Sequence, residues 1–385
     1  MAAKTRSTYL DYNAGAPLRP EVFAIMAETL ECTGNASSVH AFGRAAHRRV
    51  EDARAQVAAL AGANFSRVVF TSGGTEANNQ ALRRMFKDQD TAILVSAVEH
   101  DSVIAAVPWA EHLPVGRDGI VDLGKLHHRL AKMREDSKAP ILVSVMLANN
   151  ETGIISPLRE VAETAHAFGA LVHCDAVQAA GKIPINMDAL GINLLSLSSH
   201  KLGGPQGAGA LVLSETPGLQ ASALIRGGGQ ERGLRAGTEN VAAITGFGLA
   251  AELARYGLDD AGRQVSLRDG LETSIRELAP RTEIFGYAAP RLPNTSCFTM
   301  PGVLAETQVV ALDLEGVAVS AGAACSSGKV APSRVLRTMG VDEDLARCAI
   351  RVSLGWSTEK TDVDHFLQTW GSLCSRKGTL ATEAA

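Results

Sequence analysis

From about residue 65 to residue 215, short apolar runs alternate with polar or glycine-rich loops and helical stretches. The runs that we predict to be strands lie at 67–71, 92–96, 141–147, 170–174, 192–198 and 209–214. Continuous apolar runs are typical of strands buried on both faces, and intervening helices are the connections that parallel strands need. The pattern therefore predicts an α/β fold with a mostly parallel sheet flanked by helices.

Polar residues gather where these predicted strands stop. In open α/β sheets, ligands bind outside the carboxyl ends of the strands. The polar and glycine residues expected at that edge are Gly73, Gly74, Thr75, His100, Asn150, Asp175, Gln178, Ser198, His200 and Lys201. This concentration predicts a ligand site along one edge of the sheet.

Three of these positions suggest particular chemistry, although each also has a structural interpretation. The turn at 73–75 could bind an anion through backbone N–H groups at a helix N-terminus, or simply cap the helix. Asp175 ends an apolar strand and needs a partner, which could be a pyridinium N–H or a helix N-terminus. Lys201 precedes the glycine-rich segment 202–209, where desolvation would favour Schiff-base chemistry over an ordinary surface role. Their occurrence at successive strand ends favours a functional site.

The remainder of the chain predicts a second, smaller domain. A chain of 385 residues is too long for one small core. We predict a large ligand-binding domain at 12–255 and a small α+β domain formed by 1–11 and 256–385. Shorter strand-like runs at 296–299, 317–320 and 349–354 belong to the small domain. The segment at about 320–333 consists mainly of small residues and glycine, which predicts a loop, and it contains Cys325.

Composition excludes several classes of function. The 37 basic and 41 acidic residues give a net charge of −4, and aromatic residues make up only 4%. This balance argues against nucleic-acid binding and against attachment to anionic membranes. No run approaches the roughly 18 apolar residues of a membrane helix, and the first residues do not form a secretory signal, so a cytoplasmic location is expected. The six cysteines include no CxxC pair, so neither a disulfide framework nor a metal site is predicted.

Several blocks in order along the chain resemble the cysteine desulfurases of the NifS/IscS type, within the class V, fold-type I enzymes that use pyridoxal 5'-phosphate. The blocks are YLDYNAGAP at 9–17, FTSGGTE at 70–76, ANNETG at 148–153, DAVQ at 175–178, SHK at 199–201, GGGQERGLRAGTEN at 227–240 and SAGAAC at 320–325. The resemblance extends to about 351–355, which is nearly the whole chain. Together these blocks are far more specific than any one of them alone.

The resemblance implies roles for the residues that would carry the chemistry. Lys201 would bind pyridoxal 5'-phosphate covalently and move the α-proton of the substrate, and Cys325 would accept the substrate's sulfur. His100 would stack on the cofactor ring and assist proton transfer. Asp175 would pair with the pyridine nitrogen, and Gln178 would bond the phenolic oxygen.

The resemblance also implies how cofactor and substrate would be held. The cofactor phosphate would be bound by four small or polar residues, namely Gly74, Thr75, Ser198 and His200. Thr238 would reach the phosphate of the neighbouring subunit, which implies a homodimer. Asn150 would lie beside the cofactor and the substrate, and Arg351 and Asn35 would bind the substrate carboxylate, since the fork of an arginine is bidentate.

Structural alternatives remain at three of these positions. His100 could be a loop histidine without a chemical role. Arg351 lies in an apolar strand, where its charge could be balanced by an internal Asp or Glu. Thr238 could cap a helix.

The implied reaction converts L-cysteine to L-alanine and leaves a persulfide on Cys325. An iron–sulfur scaffold protein or another sulfur acceptor would then receive the sulfur, and Cys325 would ligate a metal cluster only in such a partner complex. Alternatives within the same fold are a selenocysteine lyase, a cysteine or cystine C–S lyase and a class V transaminase. A sulfur-relay or scaffold protein without catalytic activity is the alternative from a different class.

Overall fold

The computed structural model describes residues 7–84, 91–216, 219, 222–321 and 332–382, with side chains of 84 and 377–382 excluded. Cys325, to which the sequence assigns the role of sulfur acceptor, lies outside the described residues.

Within these ranges the strands are β1 (Thr8–Tyr9), β2 (Val68–Thr71), β3 (Ala92–Ser96), β4 (Glu111–Leu113), β5 (Ile141–Ser144), β6 (Leu171–Asp175), β7 (Leu194–Ser198), β8 (Gly209–Leu213), β9 (Thr295–Thr299), β10 (Val317–Ala318), β11 (Ser320–Ala321) and β12 (Ala349–Ser353). The helices are α1 (Pro20–Glu31), α2 (Ala41–Ala61), α3 (Gly74–Arg84), α4 (Asp101–Ile104), α5 (Leu123–Asp136), α6 (Leu158–Ala167), α7 (Val241–Tyr256), α8 (Ala261–Leu278), α9 (Ala305–Leu314), α10 (Arg334–Thr338), α11 (Glu343–Arg347) and α12 (Lys360–Thr382).

The large sheet has seven described strands in the order β2-β8-β7-β6-β5-β3-β4. Neighbours from β7 through β6, β5 and β3 to β4 are parallel, whereas β8 runs antiparallel to both β2 and β7. The predicted mostly parallel sheet is therefore confirmed. Because five parallel strands end on the same side, the loops that follow them meet at one edge.

Helices cover both faces of this sheet. Alternate residues of a strand point to opposite faces, so Val68 and Phe70 enter one apolar core while Val69 enters another. The first core includes residues of α2, α6 and α7, and the second includes residues of α3 and α4. Each fully buried Val, Leu or Phe contributes about 1.5–3 kcal/mol, so this double burial accounts for the continuous apolar runs in the sequence.

A separate core forms around the antiparallel sheet β11-β12-β9. It joins Leu10 near the amino terminus to Phe298 of β9 and to Phe366 and Trp370 of α12. The Phe298 and Trp370 rings meet edge to face at 5.7 Å. The division into a large domain at 12–255 and a small domain formed by 1–11 and 256–385 stays a prediction. Among the described helices, none has the length and apolar character needed to cross a bilayer.

Candidate active site

A cavity of about 570 Å³ opens at the carboxyl ends of the parallel strands. The residues predicted from the sequence that line it are Gly74, Thr75, His100, Asn150, Asp175, Gln178, Ser198, His200, Lys201 and Arg351. The first nine lie at the ends of strands of the large sheet or in the segments that follow them, and Arg351 comes from β12 of the smaller sheet. The fold thus brings residues from six separate segments of the chain to one place.

Lys201 ends the single 3₁₀ turn Ser199–Lys201 that directly follows β7. Its Nζ donates to the main-chain oxygens of Asn13 at 2.5 Å and Ala14 at 2.7 Å. Both acceptors belong to the amino-terminal segment that crosses the site. The amine is therefore held by neutral carbonyl groups at the cavity wall, where it can be redirected to a bound carbonyl compound.

A chain of hydrogen bonds joins Asp175 to His100. Asn78, on α3, donates through Nδ2 to Asp175 Oδ2 at 2.8 Å and to Ser102 Oγ at 2.9 Å. Since Ser102 Oγ accepts that bond, its own proton is free for His100 Nδ1, which lies 2.8 Å away. The Ser102 backbone N–H also donates to His100 Nδ1, at 3.1 Å. These bonds make Nδ1 an acceptor and place the proton of a neutral imidazole on Nε2.

Asn78 was not predicted from the sequence. It lies one helical turn after Gly74, so both face the same side of α3. That spacing was the available signal, but an asparagine one turn into a helix has many possible roles. Only the approach of α3 to β6 reveals that this side chain orients Asp175, whose other oxygen accepts from the backbone of Val177 at 3.0 Å.

The turn between β2 and α3 provides the close approach that an anion needs. A Cβ added to Gly74 would lie 2.8 Å from Val177 Cγ2, so a side chain there would fill the space beside Val177. This space, left open by the glycine, is the cradle for an anion. Burial, with a smaller effect from the charge of Lys201, lowers the pKa of His200 to about 4. His200 is therefore neutral at physiological pH and can donate an N–H. Backbone N–H groups at the start of α3 add donors and a favourable dipole.

Arg351 lies in β12, and only 4% of its side chain is exposed. It donates to Asp11 Oδ1 at 2.6 Å and to the Asn150 carbonyl at 3.0 Å. The predicted alternative, a charge balanced by an internal carboxylate, is therefore present. Yet its buried Nε has no hydrogen-bond partner among the described residues. A donor left unpaired at the cavity wall is suited to an additional anionic group.

Two buried carboxyl groups at the cavity were not predicted. Burial, followed by the charge of Asp175, raises the pKa of Glu99 to about 8. Burial raises the pKa of Glu151 to about 7, although the hydroxyl of Ser333 donates to it. Each adjoins a predicted residue in the sequence, but a charged side chain in a loop gives no sign of burial. Glu99 is mostly protonated near pH 7, which limits the negative charge around Asp175.

Two predicted residues do not line this cavity. Asn35 is exposed, and its Oδ1 accepts from the backbone of Ser37 at 2.8 Å. Thr238 is exposed in the segment before α7, as a residue that reaches a neighbouring subunit would be. Their roles, and that of Cys325 outside the described residues, stay predictions.

Residues 8–366 match the family described as aminotransferase class-V, and the chain belongs to that family. This is the class of protein that the sheet, the site at its edge and the lysine after β7 define.

Within this family the chain belongs to the cysteine desulfurases of the NifS/IscS type. It is 40% identical to the cysteine desulfurase IscS of Dictyoglomus turgidum over 388 residues, covering 98% of this chain and 96% of the relative. It is 44% identical to a cysteine desulfurase of Cereibacter sphaeroides over 372 residues, covering 94% of each. The resemblance noted in the sequence is thereby confirmed.

Solved structures of similar proteins share this fold. The NifS-like protein of Rickettsia africae superposes with a TM-score of 0.87 at 35% identity, covering 95% of this chain and 99% of that one. A protein described as SspA in complex with cysteine superposes with a TM-score of 0.75 at 27% identity, covering 90% of this chain and 99% of that one.

Proposed function

We propose that the protein binds pyridoxal 5'-phosphate in the cavity and acts as a cysteine desulfurase, converting L-cysteine to L-alanine and a persulfide on Cys325. One observation carries the proposal: Lys201, Asp175 and the amino-terminal turn of α3 line a single cavity in a chain of the desulfurase family. The side chains that meet in this cavity suit both the cofactor and the substrate.

The site fits the cofactor on three counts. Asp175 is 5% exposed and has no basic side chain within ion-pair distance among the residues the structure describes, so a protonated pyridine nitrogen would balance its charge. The cradle at Gly74 and the neutral His200 suit the phosphate. The Lys201 amine suits covalent attachment. When bound, pyridoxal 5'-phosphate supplies an electron sink for the bonds to the substrate's α-carbon.

The substrate carboxylate would bind at Arg351. Its unpaired Nε offers one donor, and exchange of Asp11 for the substrate would free the donors of the terminal nitrogen. The Arg351 side chain is already fixed by the carbonyl of Asn150, so little conformational freedom is lost on binding. Arg351 would thereby orient the amino acid with its α-carbon toward the Lys201 amine.

Lys201 and His100 would move the protons. The Lys201 amine would take the α-proton of the substrate and return it elsewhere. His100 Nδ1 is engaged by Ser102, so the nitrogen of His100 that remains for proton transfer is Nε2, which carries the proton of the neutral ring. His100 would therefore act as a donor first.

The sulfur step would consume one thiol and release one amino acid. The thiolate of Cys325 attacks the sulfur of the substrate, forming an S–S bond and breaking the Cβ–S bond. The electron pair left on Cβ takes a proton, so that L-cysteine and the Cys325 thiol give L-alanine and a persulfide. An iron–sulfur scaffold or another thiol carrier would accept the sulfur, in the cytoplasm and from a homodimer.

The test is turnover of L-cysteine with excess dithiothreitol, measuring sulfide and alanine together. We expect equimolar products from the wild type and neither product from Lys201→Ala. Cys325→Ala should keep the cofactor absorption band and lose both products. Sulfide release by Cys325→Ala at the wild-type rate would instead support a C–S lyase or selenocysteine lyase, which needs no acceptor thiol.

A further inference from the structure

Lys182 lies beside Gln178 and lines a smaller cavity, which Lys201 also borders, and not the large one. It follows Gln178 by four residues, and its Nζ donates to Gln178 Oε1 at 2.8 Å and to Asn13 Oδ1 at 2.8 Å. No acidic side chain lies within ion-pair distance of it in the described part of the chain. Burial, with help from the charges of Lys201 and Arg351, lowers the pKa of Lys182 well below its ordinary value. Lys182 is half-buried, and a lysine with a lowered pKa and no carboxylate partner among the described residues requires an explanation.

The hydrogen bonds around Lys182 allow only one orientation of each carboxamide. Asn13 Nδ2 donates to the main-chain oxygen of Asn150 at 3.2 Å, and a carbonyl can only accept, so Asn13 Oδ1 must face Lys182. Gln178 Nε2 likewise donates to the Asn13 carbonyl at 2.9 Å, so Oε1 must face Lys182. Lys182 therefore donates two protons, which both the ammonium and the neutral amine can do.

The other end of Gln178 faces the reactive lysine. The Asn13 carbonyl oxygen accepts from Gln178 Nε2 and also from Lys201 Nζ, at 2.9 Å and 2.5 Å. The two donors thus converge on a single acceptor oxygen. An oxygen of a compound attached at Lys201 would come close to the N–H group of Gln178 if the amide keeps its orientation.

We propose that Lys182 is a positioning residue that fixes the carboxamide of Gln178, so that its N–H group and not its oxygen faces the cofactor. The inference rests on the proposed function, in which Gln178 bonds the phenolic oxygen of pyridoxal 5'-phosphate. Without Lys182, only the Asn13 carbonyl, which Gln178 shares with Lys201, would oppose a rotation of the amide that presents its oxygen to that negatively charged atom. Lys182 then acts on the cofactor through Gln178 and without touching it.

The test titrates cofactor-free protein with pyridoxal 5'-phosphate and follows the visible absorption band. The variants are Lys182→Met, Gln178→Leu and the double variant, with Lys125→Met, an exposed lysine beside Asp122, as the matched control. We expect Lys182→Met to raise the cofactor dissociation constant about tenfold, the equivalent of one hydrogen bond. It should also raise the midpoint of the band's pH titration, because the anionic phenolic oxygen loses a donor. Lys125→Met should change neither quantity.

The double variant separates positioning from a direct effect of charge. If Lys182 acts through Gln178, adding Lys182→Met to Gln178→Leu changes the dissociation constant by less than about twofold. A full effect of Lys182→Met in the Gln178→Leu background would overturn the inference, as would wild-type behaviour of Lys182→Met alone. Lys182→Leu provides the same test if Lys182→Met does not fold. A wild type that forms no band with the cofactor would overturn the proposed function itself.

Discussion

Replacing Glu99 by Gln should stabilise the cofactor-free protein at neutral and alkaline pH. Glu99 is fully buried, its Oε1 accepts from the backbone of Met146 at 2.5 Å, and its Oε2 has no partner among the described residues. Glutamine keeps the accepting oxygen and replaces the protonated oxygen by an amide group of similar size. It cannot ionise, so it escapes the cost of a buried charge beside Asp175.

The magnitude follows from the pKa of Glu99, which rises from 4.5 in the unfolded chain to about 8 in the folded protein. Because the folded pKa is the higher one, the stability it contributes is complete below pH 4.5 and is lost as the pH rises toward 8. Each pKa unit corresponds to about 1.4 kcal/mol, so the wild type loses about 3 kcal/mol by pH 7 and about 5 kcal/mol above pH 8. The Glu99→Gln variant does not lose this part of its free energy of unfolding, because glutamine does not ionise.

The assay is urea unfolding of both proteins between about pH 5 and about pH 9. The difference between their free energies of unfolding isolates Glu99, because titrating groups that do not interact with it, such as Glu151, contribute equally to both. Glu163→Gln, at an exposed position of α6, should give a flat difference. A difference between Glu99→Gln and wild type that is flat, or that falls as the pH rises, would refute the reasoning.

Three further substitutions probe the chemistry and the scaffold of the site. His100→Gln should retain the cofactor band and lower kcat by about 100-fold or more, measured as alanine formed, because the glutamine amide can donate a hydrogen bond but cannot transfer a proton as an imidazole does; an unchanged kcat would leave His100 a structural role. Arg351→Met should raise KM for L-cysteine about 10–100-fold with the cofactor still bound, since charged hydrogen bonds contribute about 1.5–3 kcal/mol; an unchanged KM would place the carboxylate elsewhere. Glu231→Gln should lower the free energy of unfolding by about 3–5 kcal/mol in urea, because Glu231 forms a buried bidentate ion pair with Arg54 and accepts from the Phe70 backbone; a loss below about 1 kcal/mol would contradict that assignment.

The sequence was sufficient for the sheet and for much of the cavity wall because both depend on local patterns. Apolar runs buried on two faces must be strands, and residues directly after parallel strands must share an edge. Boundaries were less secure: the predicted strand 141–147 ends at Ser144, although Val145 and Leu147 still donate to β6 residues through their backbone N–H groups. Hydrophobic pattern cannot distinguish a strand from an extended segment that continues its hydrogen bonds.

Contacts between distant segments could not be predicted in this way. The pair of Arg351 and Asp11 joins residues 340 positions apart, so no spacing rule applies to it. Asn78 and Lys182 are polar side chains in ordinary helical or turn sequence, and their importance arises only from what packs against them. Asn35 and Thr238 are exposed in the single chain. The role expected for Thr238 is a contact with a second copy of the chain.

The most direct test of the central claim is to reduce the protein loaded with pyridoxal 5'-phosphate with borohydride and map the modified peptide by mass spectrometry. Two lysines donate hydrogen bonds to Asn13: Lys201, which lines the large cavity, and Lys182, which does not. We expect the pyridoxyl group on Lys201 alone, and its loss from Lys201 when excess L-cysteine is added before reduction. A label on Lys182, or a label on Lys201 that L-cysteine does not diminish, would contradict the assignment of this site to cysteine desulfuration.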